Sequence, residues 1–146
     1  MNRVFLVGGL RSHIGIRNGI FKHIRPEVLG GRVVRTLCQR YGIQGPDALI
    51  CGNAVGPGGN IGRLLLLEGG LPERVPAFTI DLQCASGLAA IHMAALSIMA
   101  GEWDVVQKVH PFSPRGDTQT MMKEAALEIL SSRRPSSGPA NLVMTP

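Results

Sequence analysis

Residues 76–101, PAFTIDLQCASGLAAIHMAALSIMAG, decide the fold. The run Ala77 to Leu82 is apolar and β-prone, and Ala85 to Ala100 is built from strong helix formers. A strand handed directly to a helix is half of a crossover unit, and Cys84 stands at the handover. Leu88, Ile91, Ala95 and Met99 are the residues of this helix expected to be buried.

Two further short apolar runs precede it, Val4 to Val7 and Ala48 to Cys51, each separated from the next by a segment with helical spacing. That alternation predicts an α/β fold, a mixed sheet flanked by helices. The first helix is expected after Pro26, where Leu29, Val33, Leu37 and Tyr41 recur at four-residue intervals and Val34 and Cys38 widen the stripe. Gly30 and Gly31 work against it, each costing about 1 kcal/mol relative to Ala in a helix interior. Gly56 to Arg63 reads as a glycine turn leading into a short helix over Leu64 to Leu67, stopped by Gly69-Gly70-Leu71-Pro72. Its glycines do not have the G-x-G-x-x-G spacing and no lysine follows, so a nucleotide-binding turn is not expected. After Gly101 a brief strand, Trp103 to Val106, is expected to dissolve into the Pro- and Ser-containing segment Gln107 to Gly116. A last helical piece is read over Thr118 to Leu130, and Ser131 to Pro146 as a loose tail. The chain thus divides into a domain over 1–106 and a divergent, partly disordered tail over 107–146.

Composition bounds the function. With 146 residues, 45% apolar and 17% charged, the chain is long and apolar enough to bury a core. The formal charge of +5 is spread from Arg3 to Arg134 without a cluster or interleaved aromatics, so no nucleic-acid partner is expected. Cys38, Cys51 and Cys84 are odd in number and form no CxxC pair, which argues against a disulfide framework and against a metal site. A reducing, cytoplasmic setting follows as the expectation. Ala85 to Ala100 falls short of the roughly 20 residues needed to cross a bilayer, so no membrane association is expected.

The chemistry centres on Cys84. Unpaired backbone N–H groups and the positive dipole end at a helix start stabilise thiolate, the nucleophilic form of cysteine. The small neighbours Ala85, Ser86, Gly87, Ala89 and Ala90 leave room for an acyl group, and nearby amides suit an oxyanion. Asp81 opposes this if its carboxylate lies close. The competing reading is that a free cysteine is a small buried hydrophobe, and Cys38 and Cys51 take that reading. A base is harder to find. His92 lies eight residues along the same helix, about 12 Å away at 1.5 Å per residue. His13 and His23 fall in a loop, and His110 precedes Pro111 in the tail; each reads as a solvated residue.

These residues resemble the thiolases, which transfer or remove acetyl units on coenzyme A thioesters. Arg11 to Gly15 is similar to the family's Arg-Thr-Pro-x-Gly opening. Gly52 to Leu71 is similar to its glycine-rich loop, with Asn60 and Arg63, and Pro76 to Gly101 resembles its nucleophile segment around Cys84-Ala85-Ser86-Gly87. The ordered match covers about residues 1 to 106. It departs from the family at Ser12 and His13, which replace Thr-Pro, and at Asp81, where Asn is common. After Val106 the Ala-Gly-Gly-x-Glu-Ser turn is absent, as are the later Asn-Glu-x-x, Gly-His-Pro and Cys-x-Gly-Gly segments.

The resemblance implies that Cys84 accepts an acyl group as a thioester, with acyl-CoA as substrate and no permanently bound cofactor. It also implies a layered α/β fold of two similar halves, of which this is the N-terminal one, and a homo-oligomer. The protons would be handled by a histidine and a second cysteine of the C-terminal half. The change at Gln107 leads us to expect a truncation, an altered reading frame or an internal deletion, with impaired turnover. A ketoacyl-synthase-type condensing enzyme shares the nucleophile's position, but Ala85-Ser86-Gly87 and Gly70-Leu71-Pro72 favour the thiolase reading. From another class, the rival is a catalytically silent protein that binds coenzyme A or a thiolase subunit.

Overall fold

A computed structural model of the chain describes residues 2–16, 18–54, 56, 58–112 and 124–132. Five strands and three helices follow in the order β1 (Phe5–Arg11), α1 (Pro26–Tyr41), β2 (Ala48–Gly52), α2 (Ile61–Glu68), β3 (Ala77–Ile80), α3 (Ser86–Ala100), β4 (Val105–Phe112) and β5 (Glu124–Ser131). The strands form one mixed sheet in the order β1-β5-β4-β2-β3. β2 runs parallel to both β3 and β4, whereas β5 lies antiparallel between β4 and β1.

Alternation along β2 divides the core into two. Leu49 and Cys51 point to one face, where they meet Leu29, Val33, Val34 and Leu37 of α1 and Leu65 and Leu66 of α2. Ala48 and Ile50 point to the other, against Ala90, Ala94 and Ile98 of α3 and Val106 of β4. The molecule is therefore layered, with α1 and α2 on one face of the sheet and α3 on the other.

The two glycines that weaken α1 as a helix are explained by its neighbour. A Cβ on Gly31 would lie 2.6 Å from Glu68 Cβ and 2.8 Å from the Glu68 carbonyl carbon, and one on Gly30 would run into the Leu65 side chain. The loss of helix propensity is exchanged for close contact of α1 with α2.

Several expectations need correction. The third strand ends at Ile80 rather than Leu82, and the first begins at Phe5 and continues through Gly8 and Gly9 to Arg11. The strand read as ending at Val106 continues to Phe112, so Gln107 to Phe112 is sheet, not tail. Gln107 and Lys108 suggest a solvated segment, but β4 is paired along both edges by β2 and β5 and has helices packed on both of its faces, and both residues are buried. The helix read over Thr118 to Leu130 is a strand over Glu124–Ser131; residues 118–123 lie outside the described residues. Its Ala, Leu and Glu favour a helix locally, yet pairing on both sides, with β1 and β4, overrides that preference. Of the loose tail, Ser131 closes β5 and Ser132 donates its backbone N–H to Asp104 O; residues 133–146 lie outside the described residues.

The buried face of α3 is also shifted. Ala90, Ala94 and Ile98 are fully buried, whereas Leu88 is 70% exposed. Small residues let the helix approach the sheet closely, which leaves the larger Leu88, Met93 and Leu96 on the outer side.

Candidate active site

Cys84 lies in a tight turn, residues 81–85, between the end of β3 and the start of α3. The parallel strands β2 and β3 both end here, and in open α/β sheets the carboxyl ends of the strands are where ligands bind. All five residues of the turn are exposed, so the Cys84 thiol is open to solvent. The other two thiols are buried in the sheet and in α1. Burial pushes Cys51 up to about 12 against the opposing pull of the Lys108 charge. Burial also raises Cys38, with a hydrogen bond from Gln107 Nε2 at 2.9 Å acting the other way. Both remain protonated near neutral pH and are poor nucleophiles.

The turn is held by its own polar groups. Ser86, fully buried at the first position of α3, accepts a hydrogen bond from Leu82 N at 2.8 Å and donates its hydroxyl to Gln83 O at 2.7 Å. Asp81 Oδ1 accepts from Gln83 N at 3.0 Å. Backbone bonds from Ala85 N to Leu82 O and from Ser86 N to Gln83 O, each 3.0 Å, close the turn. Between these fixings Gln83 adopts φ 50°, a left-handed conformation rarely taken by residues with a Cβ.

Beneath the turn lies Gly52, the last residue of β2. A Cβ there would come within 2.6 Å of the Ser86 carbonyl carbon and oxygen and 2.8 Å of Gly87 N. Glycine is required because the start of α3 rests directly on the end of β2. Ser86 and Gly87, whose small size was read from the sequence as room for an acyl group, are both buried and form this contact with β2.

The glycine-rich segment before α2 proves to be a structural tie. Asn60 caps α2 by accepting from Arg63 N at 3.2 Å, donates to Ala77 O at 2.9 Å, and accepts the Thr79 hydroxyl at 2.9 Å. Arg63 reaches back to the carbonyls of Glu73, at 2.9 Å, and Val75, at 3.2 Å. Both side chains therefore fasten α2 to edge strand β3 and to the loop that leads into it.

No histidine is hydrogen-bonded to Cys84 among the described residues. His92 is exposed on α3, and His13 and His23 are exposed in the connection before α1. His110 belongs to the backbone of β4, where it pairs with Ala126 of β5. Among the described residues no three His, Cys, Asp or Glu side chains gather as metal ligands. Gln83–Ala100 is long and apolar enough by composition to cross a membrane, but in this fold its Ala90, Ala94 and Ile98 pack on the sheet.

The fold is a layered α/β domain that presents one exposed cysteine on a strand-to-helix turn held by its own hydrogen bonds. The family described as "Thiolase, N-terminal domain" matches residues 4–109, and the chain belongs to it. YhfS of Bacillus subtilis (strain 168), provisionally named an acetyl-CoA C-acetyltransferase, is 45% identical over 101 residues, 69% of this chain and 27% of the relative. A Staphylococcus aureus protein (strain NCTC 8325 / PS 47), provisionally named an acetyl-CoA acyltransferase, is 39% identical over 110 residues, 73% of this chain and 28% of its own length. The counterpart from strain MRSA252 is 38% identical over the same span. The chain thus spans about a quarter of the length of the curated relatives it matches.

Proposed function

We propose that this chain carries the acyl-accepting half of a thiolase-type acyltransferase acting on acyl-CoA thioesters, with Cys84 as the nucleophile. The observation that carries the reading is the contrast among the three cysteines. Two are buried and held protonated, and the third is presented to solvent at the carboxyl end of parallel strands, inside the segment matched by the family.

In the proposed step the Cys84 thiolate attacks the thioester carbonyl carbon. A new carbon–sulfur bond forms to Cys84, the bond to the coenzyme A sulfur breaks, and the proton given up by Cys84 passes to the departing thiol. Splitting the transfer into two displacements lowers each barrier. Cys84 has no histidine partner among the described residues, so we further propose that the proton transfers, and with them full turnover, depend on groups supplied from elsewhere. A single acylation by the thiolate can exchange its protons with solvent, so it is the step open to this chain without those groups. Incubation with acetyl-CoA followed by intact-mass and peptide analysis is the test: one acetyl group on Cys84 supports the reading, and an unmodified Cys84 removes it.

A second reading, a silent module that pairs with a thiolase subunit or with its own copy, is favoured by the uncovered apolar face of α3, where Leu88, Met93 and Leu96 are 70%, 44% and 49% exposed. Size-exclusion chromatography with light scattering tests it. A stable monomer that ignores added thiolase would rule it out.

A further inference from the structure

Resting on the assignment of Cys84 as acyl acceptor, we infer that Ser86 is a positioning residue that holds Gln83 in the left-handed region and so fixes where the Cys84 thiol is presented. Three observations converge. The Ser86 hydroxyl is fully buried and spent twice inside the turn, on Leu82 N at 2.8 Å and Gln83 O at 2.7 Å, so it is not available to a substrate. It brackets Gln83, the residue immediately before Cys84, whose φ of 50° the chain would not adopt unaided. Its own backbone is seated on Gly52, so the clamp is referred to the rigid end of β2 rather than to a mobile loop. Asp81 adds a side-chain fixing through Gln83 N at 3.0 Å, beside the two backbone bonds that close the turn.

The consequence is specific. Removing the Ser86 hydroxyl frees Gln83 to relax toward negative φ, and that rotation, one residue upstream, swings the Cys84 side chain away from its present direction. Glycine at position 83 adopts positive φ at no steric cost, so it can restore the turn without the clamp. A β-branched residue there raises the cost of the same conformation and can break the turn while Ser86 remains.

The test uses the full chain with Ser86→Ala, the double variant Ser86→Ala/Gln83→Gly, and Gln83→Val, each followed by Cys84 acetylation from acetyl-CoA and by alkylation with iodoacetamide. Loss of two hydrogen bonds from a turn of this kind is expected to slow acetylation about tenfold in Ser86→Ala. Gln83→Gly should recover most of that loss, and Gln83→Val, at an exposed position, should reproduce the defect with Ser86 in place. A role confined to overall stability would lower the melting temperature of Ser86→Ala without selective recovery by glycine. Unchanged rates in Ser86→Ala and Gln83→Val, or no recovery in the double variant, would overturn the inference. If the parent chain is not acetylated at all, the acyltransferase reading fails, and the alkylation rates of the same variants still decide the positioning role by the same pattern.

Discussion

Gly52→Ala is the substitution whose sign separates this account from general expectation. Alanine in a strand interior is ordinarily better than glycine by roughly 0.5–1 kcal/mol, because glycine loses more freedom on folding. Here the added methyl would lie 2.6 Å from the Ser86 carbonyl and 2.8 Å from Gly87 N, contacts with backbone on the facing helix rather than with the end of a flexible side chain. The start of α3 would have to move by several tenths of an ångström, and overpacking of this kind typically costs about 1–3 kcal/mol. The balance is a net loss of about 2 kcal/mol at the upper end of that range, or a fall in melting temperature of about 4–8 °C for a domain of this size. Thermal unfolding followed by circular dichroism measures it, with Cys84 alkylation as a companion readout, because the displaced residues are those of the clamp. A melting temperature above the parent's would refute the claim that α3 rests on β2 at this point.

Further outcomes follow from the same geometry. Asn60→Ala removes the α2 cap and the two ties to β3, and is expected to cost at least the 1–2 kcal/mol of a lost cap, read by chemical denaturation. Under native conditions near neutral pH, iodoacetamide should label Cys84 alone, with Cys38 and Cys51 reacting only after unfolding; labelling of Cys51 in the folded chain would contradict its burial. Because burial raises Cys51 in the folded state from the ordinary 9.0 to about 12, the unfolded chain loses this proton first. The stability contributed by the neutral thiol is complete below pH 9 and is lost as pH rises from 9 toward 12, at about 1.4 kcal/mol per unit. Cys51→Ala should flatten that alkaline loss in a stability-versus-pH series, even if it lowers stability throughout by opening a cavity.

The parts of the fold legible in the sequence are those governed by periodicity. Leu29, Val33, Val34, Leu37 and Cys38 are buried along α1 as their spacing predicts, and β2 and β3 fall where the apolar runs stand. What failed depends on distant partners. EAALEILS in β5 carries helix-forming residues and becomes a strand only because β1 and β4 lie on either side of it. On α3, Leu88 was expected inside with Ile91, Ala95 and Met99, whereas close approach to the sheet selects Ala90 and Ala94. The same division runs through the site. The place of Cys84 between a strand and a helix was legible because that handover is a local pattern, and the ordered motifs around it belong to a family. The clamp proposed for Ser86 was not legible, because two hydrogen bonds and the φ of Gln83 leave no periodic trace; the polar residue two positions past the cysteine was the only signal. Gly30 and Gly31 looked like local weaknesses and are contact points between elements, as is Gly52.

The most direct test of the central claim is mass analysis of the parent chain and of Cys84→Ala after exposure to acetyl-CoA. A single hydroxylamine-labile acetyl group is expected on the parent, mapped to Cys84 and absent from the variant. No acetylation of the parent, or equal acetylation of Cys84→Ala, would contradict it.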